Sequence, residues 1–186
     1  MKLQKTIYLH VEDPTTTFLS ELYKDVPQST IINKGLSKNQ VLDQIEWHDR
    51  AVFLGHGTSL GMLNFQMFTD TNGYIIDEDA VPFLKQKTNS VFIWCYASDF
   101  QRKYGLEGIS SSMFISQEDE LWVGNLSSNM AKYIEPSNAI FVSILKECMH
   151  LNNQKMYEYL KEHYGKVAQT NPVAKFNCDH LYYYTK

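Results

Sequence analysis

The chain lacks an excess of positive charge: 17 Lys and Arg stand against 21 Asp and Glu, a net charge of -4 over 186 residues. It has no basic stripe either, which argues against a general nucleic-acid binder, whose electrostatic footprint is a face rich in Lys and Arg. Cysteine is scarce. Cys95, Cys148 and Cys178 are odd in number, far apart and without a CxxC pair, so neither a disulfide framework nor a structural zinc site is expected. No hydrophobic run approaches membrane-spanning length, and the opening MKLQKTIYLHVEDP reaches acidic residues too soon for a secretory leader. No membrane partner is expected, and the cytoplasm is the simplest location. Internal repeats, low-complexity tracts and linkers are also missing. With 44% hydrophobic residues, the composition fits one domain over 1–186. Its core would occupy about 1–125, with helical and tail elements over 126–186.

What the sequence does have is alternation. KTIYLHVE, a helical pattern over 15–26, STIIN, a helix from Ser37 to about Trp47, and RAVFLGH follow one another. Strands alternating with helices predict an α/β fold with a mostly parallel sheet. Ser37 suits the cap of the second helix, and Asp13 with Pro14 the start of the first. AVFLG and SVFIWC are continuous apolar runs, the mark of central strands covered by helices on both faces. Between them, LNFQMF and GYIID flank TDTNG, and Asn72-Gly73 predicts a β-hairpin after the third strand. Asp77 to Asp79 suit the N-terminus of a helix through Leu84. Later come a short helix near Gln101, a strand in GISSSMFIS, a helix from about Gln117, one capped at Ser137, a further helical stretch in QKMYEYLKEHYGKVAQT, and an edge strand in FNCDHLYYYTK. The expected order of the first four parallel strands is 2-1-3-4.

In an open α/β sheet, chemistry collects at the C-terminal ends of the strands. His56 ends the third strand and Cys95 the fourth. The interval between them accommodates one hairpin, one helix and a return strand, so a right-handed crossover brings both side chains to the same edge. A thiolate is a nucleophile, and a nearby imidazole can take its proton and later protonate a leaving group. Gly57, without a Cβ, lets its N–H approach a developing oxyanion beside the N–H of Cys95.

VFLGHG, then the hairpin, then VFIWCYAS resembles the caspase-like cysteine peptidase clan, which includes caspases, metacaspases, clostripain, separase and small bacterial CHAT-type domains. The compact spacing is most similar to the bacterial members. The resemblance implies a three-layer sandwich with helices on both faces of the sheet, His56 as general base, Cys95 as nucleophile, Gly57 in the oxyanion hole, no cofactor or metal, and a peptide or protein substrate. The chain departs from the clan after the cysteine. Caspases and metacaspases carry a glycine shortly after it, whereas Cys95 is followed by Tyr96, Ala97, Ser98 and Asp99.

His10, Glu12, Asp13 and Asp99 gather acidic and polar groups near the expected cleft, which favours a basic residue at the cleavage position (P1). Two rivals stand beside the peptidase reading. One is a catalytically silent scaffold or regulatory binding module of the same fold. The other is a flavodoxin-like phosphate or flavin binder using DPTTTFL as a helix N-terminus. A sheet edge offers a route to a homodimer or a regulatory partner, which the chain does not itself specify. Trp94 and Cys148 read as core residues, and Cys178 with Asp179 and His180 as tail residues without a metal.

Overall fold

The central strands are where uninterrupted apolar runs place them. In a computed structural model describing residues 4–27 and 29–185, β1 (Thr6–His10), β2 (Ser29–Ile32), β3 (Arg50–Leu54), β7 (Val91–Ile93), β8 (Gly108–Ser111) and β9 (Leu181–Tyr184) form one sheet. Its order is β2-β1-β3-β7-β8-β9, parallel through β8, with β9 antiparallel at the edge. The 2-1-3-4 order of the first four parallel strands is therefore observed. Three short strands, β4 (Gly57–Thr58), β5 (Gly61–Leu63) and β6 (Tyr74–Ile76), make a separate antiparallel sheet after β3.

Helices cover both faces, and the alternate side chains of each strand divide between them. Ile7, Leu9, Phe53 and Phe92 pack with α1 (Lys38–Glu46), α2 (Val81–Leu84) and α3 (Ala97–Tyr104). Tyr8, Val52, Leu54 and Ile93 pack with α4 (Ile134–Cys148), α5 (Asn153–Val167) and α6 (Pro172–Asp179). Cys148 and Cys178 lie buried in this second layer, and Trp94 lies buried in the first. No helix among the described residues is long and apolar enough to cross a membrane.

Several local expectations hold. Ser37 caps α1, and Gln40 returns the hydrogen bond in a capping box. Asp77 accepts the Asp79 N–H at the start of the turn leading into α2.

Others are corrected. Residues 15–26 do not form an α-helix. They contain a 3₁₀ segment, Thr17–Leu22: Asp13 caps the preceding turn, its Oδ1 accepting from Thr15 and Thr16 N–H and its carbonyl from Thr16 and Thr17 N–H, and the chain then closes on i→i−3 bonds, Leu19 N–H to the Thr16 carbonyl and Tyr23 N–H to the Ser20 carbonyl. The helix expected from Gln117 is likewise 3₁₀, at Glu118–Gly124. LNFQMF is not a hairpin strand, since β5 ends at Leu63 and Asn64 binds the Phe68 N–H and carbonyl to turn the chain. Ser137 is no cap either. It lies inside α4, buried, with its hydroxyl 2.6 Å from Tyr164 Oη. Phe176 to Asp179 belong to α6, so only Leu181–Tyr184 of the tail is strand.

Candidate active site

Strand register places the two candidate residues at the same level. Leu54 of β3 pairs with Ile93 of β7, and the Gly55 N–H donates to the Ile93 carbonyl at 3.1 Å. His56 and Cys95 each stand two residues beyond that pair. Both line one narrow crevice of about 20 Å³, together with Gly55, Phe114, Ser116 and Glu120. That is room for about one water molecule.

The imidazole is held from behind. Its Nε2 lies 2.8 Å from Thr15 Oγ1 and 3.0 Å from Asp13 Oδ2. The Thr15 hydroxyl already donates to Asp13 Oδ1 at 2.7 Å, so both groups facing Nε2 are acceptors. The proton therefore sits on Nε2, and Nδ1 keeps a free lone pair. Asp13 is anchored by its other oxygen, which accepts the Thr15 and Thr16 amides. Burial opposes its charge, yet the bonds from Thr15 and Thr16 and the nearby His56 hold its carboxyl below the usual range. On the outer side the ring of Phe65 meets His56 edge to face, centroids 5.5 Å apart. Phe65 and Gln66 both have left-handed backbones.

The cysteine sits in a tight strand-to-helix turn. Tyr96 has φ 65° and ψ 21°, a left-handed conformation that a glycine would take without strain. Its N–H donates to the Ser112 carbonyl at 3.0 Å. Burial pushes the Cys95 thiol up to about 11; the Phe114 amide works against that rise, and the Glu120 charge adds to it. In this state the thiol is protonated at neutral pH.

Gly57 is required for packing. A Cβ there would overlap the Trp94 ring and lie 2.6 Å from the Gly61 carbonyl oxygen. Trp94 Nε1 donates to the Thr58 carbonyl at 3.1 Å, fixing β4 against the strand that carries Cys95. Leu63 N–H donates to the His56 carbonyl, and Gly57 stands opposite Met62 one residue on. At that alternate position of an antiparallel pair the N–H points away from the neighbouring strand, so the Gly57 amide is not used by β5.

The residues expected to rim the cleft divide. His10 is fully buried, bonded through Nδ1 to Tyr23 Oη at 3.0 Å, and burial lowers its pKa to about 4. It cannot touch a substrate, because the β1–β3 pairing holds it inside the sheet. Asp99 lies on α3 in an ion pair with Arg102 at 2.7 Å, outside the crevice. Glu12 also lies outside it. Asp13 is present but serves His56 instead of a substrate. The sequence reading placed Glu118 to Glu120 near the cleft, and of these Glu120 lines the crevice; it missed Asp13 and Thr15 as the support of His56, for which the one available signal was the Asp-Pro-Thr-Thr turn at the end of the strand next to β3. Residues of the DPTTTFL segment direct their amides to Asp13, which removes the donors a phosphate would need. Compared with models of protein families, with curated proteins and with solved structures, the chain matches none.

Proposed function

We propose that this chain is a cysteine peptidase of caspase-like architecture, cleaving peptide bonds through a thioester on Cys95. The observation that carries this reading is the level placement of His56 and Cys95 in one crevice, with Asp13 and Thr15 fixing the His56 tautomer that leaves Nδ1 basic. His56 Nδ1 takes the thiol proton, and the thiolate attacks the carbonyl carbon. The Gly57 and Cys95 amides stabilise the oxyanion. Imidazolium then protonates the departing amine, and water attacking the thioester regenerates the thiol. The strand order and the antiparallel strands after β3 support the caspase-like sandwich. The basic P1 preference rests on Glu120, whose Oε2 is held at the crevice wall by the Ser116 and Gln117 amides, and it requires the crevice to widen when a substrate enters.

A catalytically silent scaffold is the second reading, and two observations favour it: the crevice has no room for a side chain, and the thiol is held protonated. Two measurements separate them. A peptidyl electrophile is expected to label Cys95 faster than Cys148 and Cys178, and to lose that preference in His56→Ala. Arg or Lys reporter peptides are expected to be cleaved ahead of Asp reporters. Slow labelling of all three cysteines, indifferent to His56, would establish the scaffold.

A further inference from the structure

The acyl half of the proposed reaction uses the crevice, and the leaving half needs a place of its own. His56 Nδ1 hands its proton to the departing amine, so that nitrogen lies within about 3 Å of the imidazole at the moment of transfer. The Cα and Cβ of the residue that carries it follow directly. A group beside His56 on its open side therefore meets the side chain of that residue, the first after the scissile bond (P1′).

Phe65 stands there. Its ring meets His56 edge to face, centroids 5.5 Å apart, yet the residue is 49% exposed and lies outside the crevice that holds Cys95. Its backbone is left-handed, φ 44°, and so is that of Gln66, φ 62°. For a bulky side chain that is a genuine outlier, and such strain persists only where the surroundings over-determine it. Here they do. The Asn64 side chain binds the Phe68 N–H and carbonyl at 2.8 and 2.9 Å, and the buried Phe68 ring packs into the core. The Met67 and Thr69 carbonyls accept the Gly35 and Lys38 amides. An anchored loop thus holds an aromatic ring half out of the protein against the imidazole. Core packing does not account for that placement, since much of the ring's surface is left uncovered.

Space adjoins the ring. An open hollow of about 530 Å³ is lined by Phe65 together with Gln66, Phe68, Asp70 and Thr71, within the range of roughly 300–1,000 Å³ typical of ligand sites. Phe65 connects this hollow to His56. Asp70 is the charged residue of the lining and is exposed, where water screens it. The ring is left as the selective element.

We infer that Phe65 and this hollow form the P1′ subsite, and that they select a large apolar side chain on the residue released with the new amine. The inference rests on the peptidase reading, and its test tells the two apart.

Internally quenched peptides carry Arg at P1 and Gly, Ala, Leu, Phe or Lys at P1′. Wild type is expected to cleave the Leu and Phe peptides with kcat/KM about tenfold or more above the Gly peptide. The readout is a ratio within one protein, so a disturbance of His56 that slows every peptide equally leaves it unmoved. Asparagine accepts a left-handed backbone, so Phe65→Asn removes the ring without new strain, and its ratio is expected to fall to about one. Phe65→Tyr is expected to keep the wild-type ratio. Phe65→Gly repeats the truncation if the asparagine variant does not fold. Trapping of the thioester by Leu amide against Gly amide, read as the ratio of the two new peptides, is expected to show the same preference, because aminolysis reverses the leaving step. Cleavage indifferent to P1′, a preference for Gly or Lys over Leu, or a Leu preference that survives removal of the ring would overturn the inference and leave the peptidase reading standing. Failure of wild type to cleave any peptide of this set, or of a matching set with Asp at P1, would remove the peptidase reading and this inference with it.

Discussion

Asp13 directs one carboxylate oxygen to its own chain and the other to His56, and that division sets what each substitution does. In Asp13→Asn, an amide N–H₂ placed against Nε2 forces the ring proton to Nδ1, the atom that must accept from the thiol. Turnover of a reporter peptide is expected to fall by about 10²- to 10⁴-fold, mostly in kcat, with the fold retained. His10, one strand position from the same loop, gives a pH signature of different origin. Its pKa drops to about 4 on folding because the charged ring is buried, while the unfolded chain titrates near 6.5. Between those values the unfolded state binds more protons, so this residue's contribution to stability falls as pH falls. From pH 7.5 to 4.5 the loss from this residue is about 2–3 kcal/mol. Urea unfolding at both pH values is expected to show that loss in wild type, and a smaller one by that amount in His10→Gln; equal losses would place the acid sensitivity elsewhere.

The elements that carry the site are two turns, and each has one residue on which it depends. After β7 the left-handed conformation of Tyr96 costs about 1–2 kcal/mol in an L-residue, and the residue is 44% exposed, so little packing offsets that cost. Tyr96→Gly is expected to leave stability unchanged or raise it by about 1 kcal/mol in a thermal melt; a clear loss would mean the phenol ring holds the turn. After β3 the opposite holds. Gly57→Ala drives a methyl into the Trp94 ring and is expected to cost about 1–3 kcal/mol or more and to displace β4.

These elements also mark what was legible in the sequence. Residues of β1, β3 and β7 could be read because a strand buried on both faces must be apolar throughout, and α1 because Ser37 and Gln40 form a local capping signal. His56 and Cys95 could be read because strand ends fix their level. The 15–26 helix failed because the chain there closes on i→i−3 bonds, Leu19 N–H to Thr16 and Tyr23 N–H to Ser20, and a short run of apolar residues does not distinguish 3₁₀ from α. The Asp13–His56 contact was hidden for a different reason: it joins residues distant in sequence, and only the β1–β3 pairing and a particular side-chain conformation bring them together.

At the scale of the whole molecule, the site lies on a seam between the sheet's end and the layer built from α4 to α6. Phe114 crosses that seam. Its ring lies between Phe18 of the His56-supporting segment, centroids 6.4 Å apart, and Phe141 of α4, at 4.8 Å. It also walls the crevice, and its amide faces the Cys95 thiol. One aromatic ring thus ties core packing to the closed, protonated state of the cysteine. Phe114→Ala is expected to cost about 3–5 kcal/mol and, where the chain stays folded, to open the crevice to water. Relieved of burial, the thiol falls from about 11 towards the ordinary value near 8.5, and each unit regained raises the thiolate fraction about tenfold below the pKa. Iodoacetamide at pH 8 should then modify Cys95 about ten times faster or more in the variant, with Cys148 labelling unchanged. Faster modification of both cysteines would report global unfolding; no change at either would show that Glu120 and the sheet, and not this ring, keep the thiol protonated.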